Sequence, residues 1–480
     1  MRLADLAAAA GLPPVGDAPV TGFAIDNRKV APGCVFGAFQ GASVNGEDFI
    51  PAAVAAGAIA IVARAQAKVE GAIHIASDNP RRTFAQLASG FFTPVPETIV
   101  AVTGTNGKTS TVEMTRQIWR MAGHRAASIG TLGVTTPDES VSTGLTTPDI
   151  VTFLSNISGL AREGVTHVAY EASSHGLSQY RSEGPRVSAG AFTNLSRDHL
   201  DYHPTMADYF AAKMRLFDAV VADDGAAVIW ADDGEWTDGA IRHARARGLK
   251  LVTVGEGGQA IRLAGRTPTQ LGQVLDLEID GQARKITLPL IGAYQAANAL
   301  VAAGLVLATG GEVAQVLDAL GRLQPVRGRL ERAALNREGA PVYVDYAHTP
   351  DALAAAIAAL RPHTKGQLIV VFGAGGDRDQ GKRPEMGRVA ATMADAVIVT
   401  DDNPRGEEAG EIRRAVLAGA PQAREIGDRR EAIATAIAQA GRDDIVLIAG
   451  KGHEQGQIVG RGEAARVLPF DDVTVARESV

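Results

Sequence analysis

The sequence predicts an α/β fold of three domains, in which a central parallel sheet carries flanking helices. Three observations lead to this prediction. The chain has 480 residues and a hydrophobic content of 46%, which is more than one hydrophobic core normally supports. Strand-like runs alternate with helical runs through the middle and last thirds, as in parallel sheets wrapped by helices. Two clusters of helix- and strand-breaking residues interrupt this pattern and predict domain boundaries.

The two boundaries divide the chain as follows. Thr93-Pro94 and Pro96 come between an amphipathic helix and an apolar strand, so the first domain is expected to end at residue 93. The segment 321–333 contains one Pro, two Gly and four Arg residues and interrupts two well-patterned regions. We therefore expect an N-terminal domain of residues 1–93, a central domain of residues 94–325 and a C-terminal domain of residues 326–480.

The alternation itself is clearest in the last two domains. The central domain reads "TIVAV", helical "STVEMTRQIWRMAG", "VTHVAYEA" and helical "MADYFAAKMRLFDAV". The C-terminal domain reads "PVYVDYAH", helical "PDALAAAIAALR", "QLIVVFGAGG", "ADAVIVTDD" and "DIVLIAGKG", which predicts a Rossmann-like domain. Ligands of such sheets lie beyond the carboxyl ends of the strands. Nearly every polar cluster of this sequence follows a predicted strand.

Composition and charge exclude several classes of protein. The net charge is -7, so no global basic field exists for a nucleic-acid partner. The single cysteine, Cys34, excludes an intrachain disulfide and a zinc site built on cysteine pairs. Apolar runs stop short of the roughly 18 residues that span a bilayer, and Asp5 interrupts the only candidate signal segment. We expect a soluble, cytoplasmic protein that has no membrane partner.

The stretch "AVTGTNGKTST", residues 101–111, predicts a phosphate-binding loop of unusual length. A standard P-loop has four residues between its first Gly and the Gly-Lys pair, whereas this loop has two. Loop amides and the helix start would face a triphosphate, Lys108 would add a charge, and Thr109 would offer a hydroxyl to Mg²⁺. The alternative is a plain glycine-rich turn. The strand before and the helix after favour the nucleotide loop.

Glu171 ends the predicted strand of "VAYEASSHGL", and His175 follows four residues later. A carboxylate at this place is suited to a metal ion that bridges phosphate oxygens. Taken alone, Glu171 is more often a solvated strand-end acid, and His175 an ordinary loop histidine. Their position on the next predicted strand favours the metal site.

A second polar cluster follows the strand-like run "AGAFTNL". Oxygen and imidazole ligands at this density suit a Mg²⁺-nucleotide site better than structural zinc, which favours thiolates. The alternative is a polar loop with a helix cap. The cluster comprises Asp198, His199, Asp201 and His203.

Lys213 lies in a helical run among Phe210, Met214, Leu216 and Phe217. A lysine in apolar surroundings either extends its amine to water or has a lowered pKa that permits chemical modification. The pattern alone favours the first interpretation.

Together, "TGTNGKTST", "YEASSHGL", "TNLSRDHLDYH" and "AAKMRLF" resemble the Mur ligase family, the ATP-dependent amide-forming enzymes of peptidoglycan precursor synthesis. The resemblance extends through all three predicted domains. It accounts for the short loop, which these ligases share with the folylpolyglutamate synthetases. It implies a role in cell-wall biogenesis, and hence in cell shape and cell division, with ATP and Mg²⁺ as cofactors.

The resemblance also implies site residues. Lys108, Glu171, His199 and Lys213 would be catalytic, and Lys213 matches a lysine that the family carbamylates and uses as a Mg²⁺ ligand. Thr109, Glu171 and His199 would be the other metal ligands. ATP would contact Gly104, Thr105, Asn106, Gly107, Lys108, Thr109, Ser110, Asn298, Arg329 and His348. The nucleotide-sugar substrate would contact Ile25, Asn27, Thr146, Thr147, Ser173, Gln179 and Arg181.

Within the family, "DNPR" at 402–405 resembles the members that add meso-diaminopimelate to a UDP-muramoyl dipeptide. Diaminopimelate differs from lysine by one carboxylate, which the guanidinium of Arg405 would bind in a bidentate manner. Members that add L-lysine lack this Arg. The implied pocket comprises Arg378, Asp402, Asn403, Pro404, Arg405, Gly450 and Glu454.

The sequence departs from simple motif matching at two places. "DNPR" also occurs at 78–81, where it is typical of a helix start, with Asp78 or Asn79 as the cap and Pro80 in the first turn. In addition, Gln295 precedes Asn298 where relatives often carry Asn.

The implied reaction passes through an acyl phosphate, and we expect a monomer whose partners are small-molecule substrates. Two other functions stay open at this point. A folylpolyglutamate-type ligase would share the loop and the chemistry, and a P-loop NTPase would hydrolyse nucleotide to drive a partner. A binding protein without activity is disfavoured by the intact Lys108, Glu171, His199 and Lys213.

Overall fold

The computed structural model describes residues 1–41, 44–136, 138–141, 146–200, 202–269 and 271–480. It divides into two compact units, one of residues 1–262 and 298–319 and the other of residues 263–297 and 320–480. Each unit contains a mostly parallel sheet flanked by helices, which confirms the predicted α/β class. The boundaries that we predict at residues 93 and 325 stay predictions.

The N-terminal part of the first unit contains a small parallel sheet in the order β1-β2-β3-β4. Helix α3 begins at the first "DNPR", where the Asn79 side chain accepts a bond from the Arg82 amide and Pro80 occupies the first turn. The predicted helix start is therefore confirmed. The elements are α1 (Leu3–Ala9), β1 (Gly22–Ala24), β2 (Cys34–Gly37), α2 (Ile50–Ala55), β3 (Ala60–Ala63), β4 (Ile73–Ala76) and α3 (Pro80–Phe91).

The larger sheet of the first unit has the order β12-β11-β10-β5-β9-β6-β7-β8. Its strands are parallel from β12 to β6, and β7 and β8 add an antiparallel edge. A π-helix, Leu216–Val220, continues α7. The elements are β5 (Thr98–Thr103), α4 (Lys108–Met121), β6 (Ala126–Gly130), β7 (Gly133–Thr135), β8 (Ser140–Val141), α5 (Ile150–Arg162), β9 (His167–Glu171), α6 (Ser174–Ser178), β10 (Val187–Phe192), α7 (Met206–Arg215), β11 (Val221–Trp230), α8 (Glu235–Ala246) and β12 (Lys250–Gly255).

Five elements follow before the last sheet. Strands β14 and β15 form an antiparallel hairpin, and β13 precedes them in the chain. The elements are β13 (Ile261–Thr269), β14 (Gly272–Ile279), β15 (Gln282–Leu288), α9 (Ala293–Ala308) and α10 (Val313–Leu320).

The sheet of the second unit has the order β16-β17-β21-β18-β19-β20, parallel except for β16. Residues of β18 alternate between two hydrophobic clusters, one on each face, so the strand is a continuous apolar run. The elements are β16 (Glu331–Leu335), β17 (Pro341–Asp345), α11 (Pro350–Leu360), β18 (Leu368–Phe372), α12 (Lys382–Met393), β19 (Ala396–Val399), α13 (Ala409–Leu417), β20 (Arg424–Glu425), α14 (Arg429–Gln439), β21 (Ile445–Ala449), β22 (Gly456–Val459), β23 (Arg466–Pro469) and α15 (Asp472–Glu478).

Among the described residues, no helix combines the length and the apolar character that crossing a bilayer requires.

Candidate active site

The short glycine loop connects β5 to α4, as the sequence predicts. Gly104 and Gly107 have φ angles of +145° and +85°, a region that glycine alone adopts without strain. A Cβ atom on Gly104 would lie 1.9 Å from the Thr193 hydroxyl, and one on Gly107 would lie 2.2 Å from Asn298 Oδ1. The loop therefore needs glycine at both positions for two reasons, the backbone angle and the contact with a neighbour.

Polar groups at the end of β10 hold this loop. Thr193 Oγ1 donates to Asn106 O at 2.6 Å, and the Asn106 amide donates to Asn194 Oδ1 at 2.9 Å. The amide of Thr105 donates to Asn194 O at 2.9 Å. Thr193 and Asn194 belong to the motif "TNLSRDHLDYH", but the sequence pattern predicted no role for them. Their position directly after a buried strand is the sequence feature that could have identified them.

Two lysines meet over the loop. Lys108 Nζ donates to Gly104 O at 3.0 Å and to Thr105 O at 2.8 Å. Lys213 Nζ donates to Gly104 O at 2.7 Å and lies 4.3 Å from the centre of the Tyr209 ring. Burial, reinforced by the charge of Lys108, holds the pKa of Lys213 well below its ordinary value. The interpretation that Lys213 extends its amine to water is wrong, because its side chain is 1% exposed.

Glu171 ends β9 and is 2% exposed. Its Oε1 accepts a bond from the Thr131 amide at 2.7 Å, and Oε2 accepts one from the Thr131 hydroxyl at 3.3 Å. No basic side chain of the described residues forms an ion pair with Glu171. A buried carboxylate without a basic partner is a position at which a cation is favourable, so the interpretation as a solvated acid is wrong.

The donors around the loop fit a magnesium ion. Mg²⁺ prefers oxygen ligands, which the Thr109 hydroxyl and the Glu171 carboxylate offer, whereas Lys213 in its ammonium form offers no lone pair. His199 lies near the loop, with its ring centre 5.9 Å from that of Tyr209, and the Tyr209 hydroxyl is 3.2 Å from Thr105 Oγ1.

His175 and His203 also lie in this region. The centre of the His175 ring is 5.0 Å from that of His199 and 5.6 Å from that of His203. Within the part of the chain that the structure describes, no three His, Cys, Asp or Glu side chains form a metal-binding group. Asp201, part of the predicted cluster, lies outside the described residues.

Five of the residues predicted to bind the nucleotide-sugar substrate form one network beside Glu171. Arg181 donates to Thr147 O at 3.0 Å and to Gln179 Oε1 at 2.8 Å. The Thr147 hydroxyl donates to Glu171 O at 2.8 Å. The network comprises Thr147, Ser173, Gln179 and Arg181, and Thr146 joins it through the Thr131 hydroxyl, which contacts Glu171. The other two, Ile25 and Asn27, follow β1, and no hydrogen bond of the described residues joins them to it.

Asn298 and Gln295 occupy the same helix, α9. Asn298 is 5% exposed and packs against Gly107, as described above. Gln295, the departure from the family pattern, is 1% exposed and donates through Nε2 to Arg329 O at 2.9 Å. Gln295 therefore holds the backbone of a residue that we predict to bind ATP.

Arg329 and His348 lie in the second unit with Tyr346 between them. The Arg329 guanidinium lies 4.8 Å from the centre of the Tyr346 ring, and the centres of the Tyr346 and His348 rings are 4.6 Å apart. Lys382 donates to His348 O at 2.8 Å.

The residues predicted to bind diaminopimelate converge at the ends of β18, β19 and β21. Arg405, with φ of +51°, donates through Nη1 to Gly376 O at 3.0 Å. A Cβ on Gly375 would lie 2.8 Å from this Nη1 and 3.9 Å from Arg378 Cγ, so both arginines border Gly375. We call this group, defined by Arg378, Asp402, Asn403, Pro404, Arg405, Gly450 and Glu454, the amino-acid pocket.

Two contacts join four of the remaining members of the amino-acid pocket. Asn403 Nδ2 donates to Glu454 Oε2 at 2.8 Å. Gly450 has φ of +118°, and a Cβ there would lie 2.7 Å from Asp402 Oδ2. A residue that our sequence analysis missed, Lys451, lies among these side chains.

Comparison with known proteins agrees with this geometry. Family models match residues 19–90 (Mur ligase family, catalytic domain), residues 102–306 (Mur ligase middle domain) and residues 328–452 (Mur ligase, glutamate ligase domain). A protein of Zymomonas mobilis subsp. mobilis named UDP-N-acetylmuramoyl-L-alanyl-D-glutamate--2,6-diaminopimelate ligase is 64% identical, over 100% of this chain and 99% of its own length.

Solved structures give the same result. A structure of a UDP-N-acetylmuramoyl-L-alanyl-D-glutamate--2,6-diaminopimelate ligase superposes with a TM-score of 0.73 at 33% identity, over 96% of this chain and 94% of that one. The MurF ligase from Thermotoga maritima in complex with ADP shares the fold, with a TM-score of 0.60 at 19% identity over 90% and 94% of the two chains. The chain therefore belongs to the Mur ligase family.

Proposed function

We propose that this protein is an ATP-dependent ligase that joins meso-diaminopimelate to the D-glutamate of UDP-N-acetylmuramoyl-L-alanyl-D-glutamate. The observation that carries the proposal is the amino-acid pocket, where the guanidinium of Arg405, the amide of Asn403 and the carboxylate of Glu454 lie next to one another. Such a set of groups suits an ammonium and a carboxylate on one carbon atom. The name of the Zymomonas relative supports the same substrate.

ATP is the nucleotide that the glycine loop would hold. The loop amides and the start of α4 lie beside the Lys108 amine, which contacts the loop at Gly104 O and Thr105 O, and together they favour a polyanion. When the triphosphate enters, Lys108 would exchange the carbonyls of Gly104 and Thr105 for phosphate oxygens. Asn298 packs on the loop from α9, and Arg329 and His348 are the further ATP contacts of the proposal.

Thr109, Glu171 and His199 would hold Mg²⁺, with Lys213 as the fourth group. A bound magnesium ion would neutralise negative charge on the phosphates during transfer. Lys213 suits this place as a carbamate, because a lowered pKa supplies the neutral amine that reacts with carbon dioxide. The product carries oxygen atoms where the ammonium had none, so one modification turns a cation into a ligand of the kind that magnesium prefers.

In the proposed reaction, the D-glutamate side-chain carboxylate attacks the γ-phosphorus of ATP and ADP leaves. Lys108 stabilises the charge on the transferred phosphoryl group. The amine of diaminopimelate then attacks the acyl phosphate, the tetrahedral adduct collapses, and inorganic phosphate departs as the amide forms. The ammonium loses one proton before it attacks, and the nitrogen loses a second as the amide forms; both protons go to solvent or to a nearby base.

The network of Thr146, Thr147, Ser173, Gln179 and Arg181 would hold the UDP-muramoyl dipeptide next to Glu171, with Ile25 and Asn27 as contacts from the N-terminal sheet. We also propose the division into domains of residues 1–93, 94–325 and 326–480, which the spacing of the three family models supports. The site of action would be the cytoplasm, and the working form a monomer.

The test measures phosphate release with ATP, Mg²⁺ and the muramoyl dipeptide, comparing meso-diaminopimelate with L-lysine. We expect release with diaminopimelate and at least about 100-fold lower kcat/KM with lysine, since lysine leaves the Arg405 site without its carboxylate. Arg405→Lys should reduce kcat/KM for diaminopimelate by about 10- to 100-fold. Arg414→Lys, the same change at a side chain that is 72% exposed, is the matched control.

Three results would contradict the proposal. Equal use of lysine would remove the role of Arg405. Extension of folate without use of the muramoyl dipeptide would establish a folylpolyglutamate-type ligase. Phosphate release that needs no amino-acid acceptor would establish a nucleotide hydrolase.

A further inference from the structure

Lys451 follows β21 and Gly450, and its side chain is 0% exposed. A fully buried ammonium is costly unless charged or polar groups compensate it. Its Nζ donates to Asn403 Oδ1 at 2.9 Å and to Glu454 Oε2 at 3.3 Å, and it lies 3.6 Å from Asp402 Oδ1. All three partners belong to the amino-acid pocket, and no step of the proposed reaction uses Lys451.

The contacts of Lys451 determine which way the Asn403 amide points. Asn403 Oδ1 accepts bonds from Lys451 Nζ and from the Ile458 amide, both at 2.9 Å. A carbonyl oxygen has two lone pairs, so these two donors occupy both. The amide nitrogen must therefore take the other position, where one of its hydrogens goes to Glu454 Oε2 at 2.8 Å. Its second hydrogen has no acceptor among the described residues and stays available to a ligand.

The same contacts determine which oxygen of Glu454 is available. Oε2 accepts from both Lys451 and Asn403, whereas Oε1 has no donor among the described residues. The Glu454 side chain is 31% exposed. One donor hydrogen on Asn403 and one acceptor oxygen on Glu454 thus remain side by side, where they match a carboxylate and an ammonium on the same carbon atom.

Lys451 also sets the charge of the pocket. Its single positive charge lies against the carboxylates of Asp402 and Glu454, which leaves one net negative charge next to the guanidinium of Arg405. Without the ammonium, the carboxylates of Asp402 and Glu454 would lose the positive charge that they share.

We infer that Lys451 is a positioning residue that orients Asn403 and Glu454, so that the pocket selects the zwitterionic end of a diamino diacid. The inference rests on the proposed function and deepens it. Lys451 does not contact the substrate in this scheme. It acts through the amide that it holds and the carboxylate that it neutralises.

The test uses steady-state kinetics of the full chain with Lys451→Met, which keeps the length of the side chain and removes its charge. We expect kcat/KM for meso-diaminopimelate to fall by about 10- to 100-fold, as for a lost hydrogen bond to a charged group. The KM values for ATP and for the muramoyl dipeptide should change less than about 3-fold, because neither site depends on Lys451 for a contact. Lys365→Met, at an exposed position of the same unit, is the matched control.

A double-mutant cycle separates positioning from a general structural role. In an Asn403→Ala, Glu454→Gln background, Lys451→Met should cost less than about 3-fold, since the groups that it orients are gone. Lys451→Gln keeps a donor for the Asn403 oxygen and should retain more activity than Lys451→Met. It also serves as the test variant if Lys451→Met does not fold.

Additive losses in the cycle, or equal increases of all three KM values, would overturn the inference. Unchanged kcat/KM for diaminopimelate in a folded Lys451→Met variant would do the same. These outcomes are distinct from failure of the proposed function, which would already appear as absent diaminopimelate-dependent phosphate release in the unmodified protein.

Discussion

Replacing Asp472 with Asn tests how strongly the C-terminal helix α15 supports the strand that leads into the amino-acid pocket. Asp472 accepts two bonds from Arg429, from Nε and Nη2, each at 2.7 Å, and the two side chains are 1% and 0% exposed. The same guanidinium donates to Ala449 O at 3.0 Å and to Asp401 O at 3.2 Å. These carbonyls directly precede Gly450 and Asp402.

The magnitude follows from burial. Removing one partner of a buried pair leaves an uncompensated charge and costs about 3 to 5 kcal/mol. Asn keeps one acceptor oxygen, so we expect the lower value, about 3 kcal/mol, which corresponds to about a 150-fold change in an opening equilibrium. The neighbouring pair Arg430–Glu478 joins the same two helices but is 56% and 53% exposed, so Glu478→Gln should cost less than about 1 kcal/mol.

Hydrogen exchange measures both values in the intact chain. Amides of β21 should exchange about 150-fold faster in Asp472→Asn and less than about 5-fold faster in Glu478→Gln. Amides of β5, in the other unit, serve as the internal reference and should not change. Similar exchange rates of β21 in the two variants would refute the reasoning, because burial would then make no difference to the ion pair.

Two further predictions concern the first unit. Lys213→Ala should lower ligase activity by about 100-fold, and short carboxylic acids such as acetate should restore part of it if a carbamate acts there; normal activity of the variant would remove the carbamate from the scheme. Burial, together with the nearby charge of His124, lowers the pKa of His167 from 6.5 to about 4. The unfolded chain therefore binds this proton at a higher pH than the folded chain does. The free energy of unfolding should accordingly decrease as the pH falls from about 6.5 to about 4. His167→Gln should show a smaller decrease in denaturant titrations at pH 7 and pH 4.5; an equal decrease would contradict the assignment.

Much of the fold follows from local pattern. Apolar runs such as "QLIVVFGAGG" predict strands buried on both faces, and β18 has this environment because the two clusters lie on opposite sides of it. The glycine loop is also readable from the sequence, since its position between strand and helix is a local property. The start of α3 at Asn79 and Pro80 is equally local.

The remaining features depend on distant parts of the chain. Lys213 and Lys451 are both lysines near apolar residues, and only the folded chain decides whether such an amine reaches water or a buried partner. Lys213 meets a carbonyl of the loop 109 residues away in sequence. Lys451 meets Asn403, 48 residues away. No periodicity encodes such pairs, so the sequence predicts the residues of the site better than their contacts.

The way in which Asn194 and Thr193 hold the short loop makes this loop a poor candidate for transplantation. A two-residue span between its glycines has little slack, and four of its polar contacts come from Thr193 and Asn194, which follow β10. Moving residues 101–111 alone into another protein would transfer the sequence of the loop without the contacts that hold its conformation. The portable unit is two adjacent strands with their ends, and designs of nucleotide sites on this pattern should copy that pair.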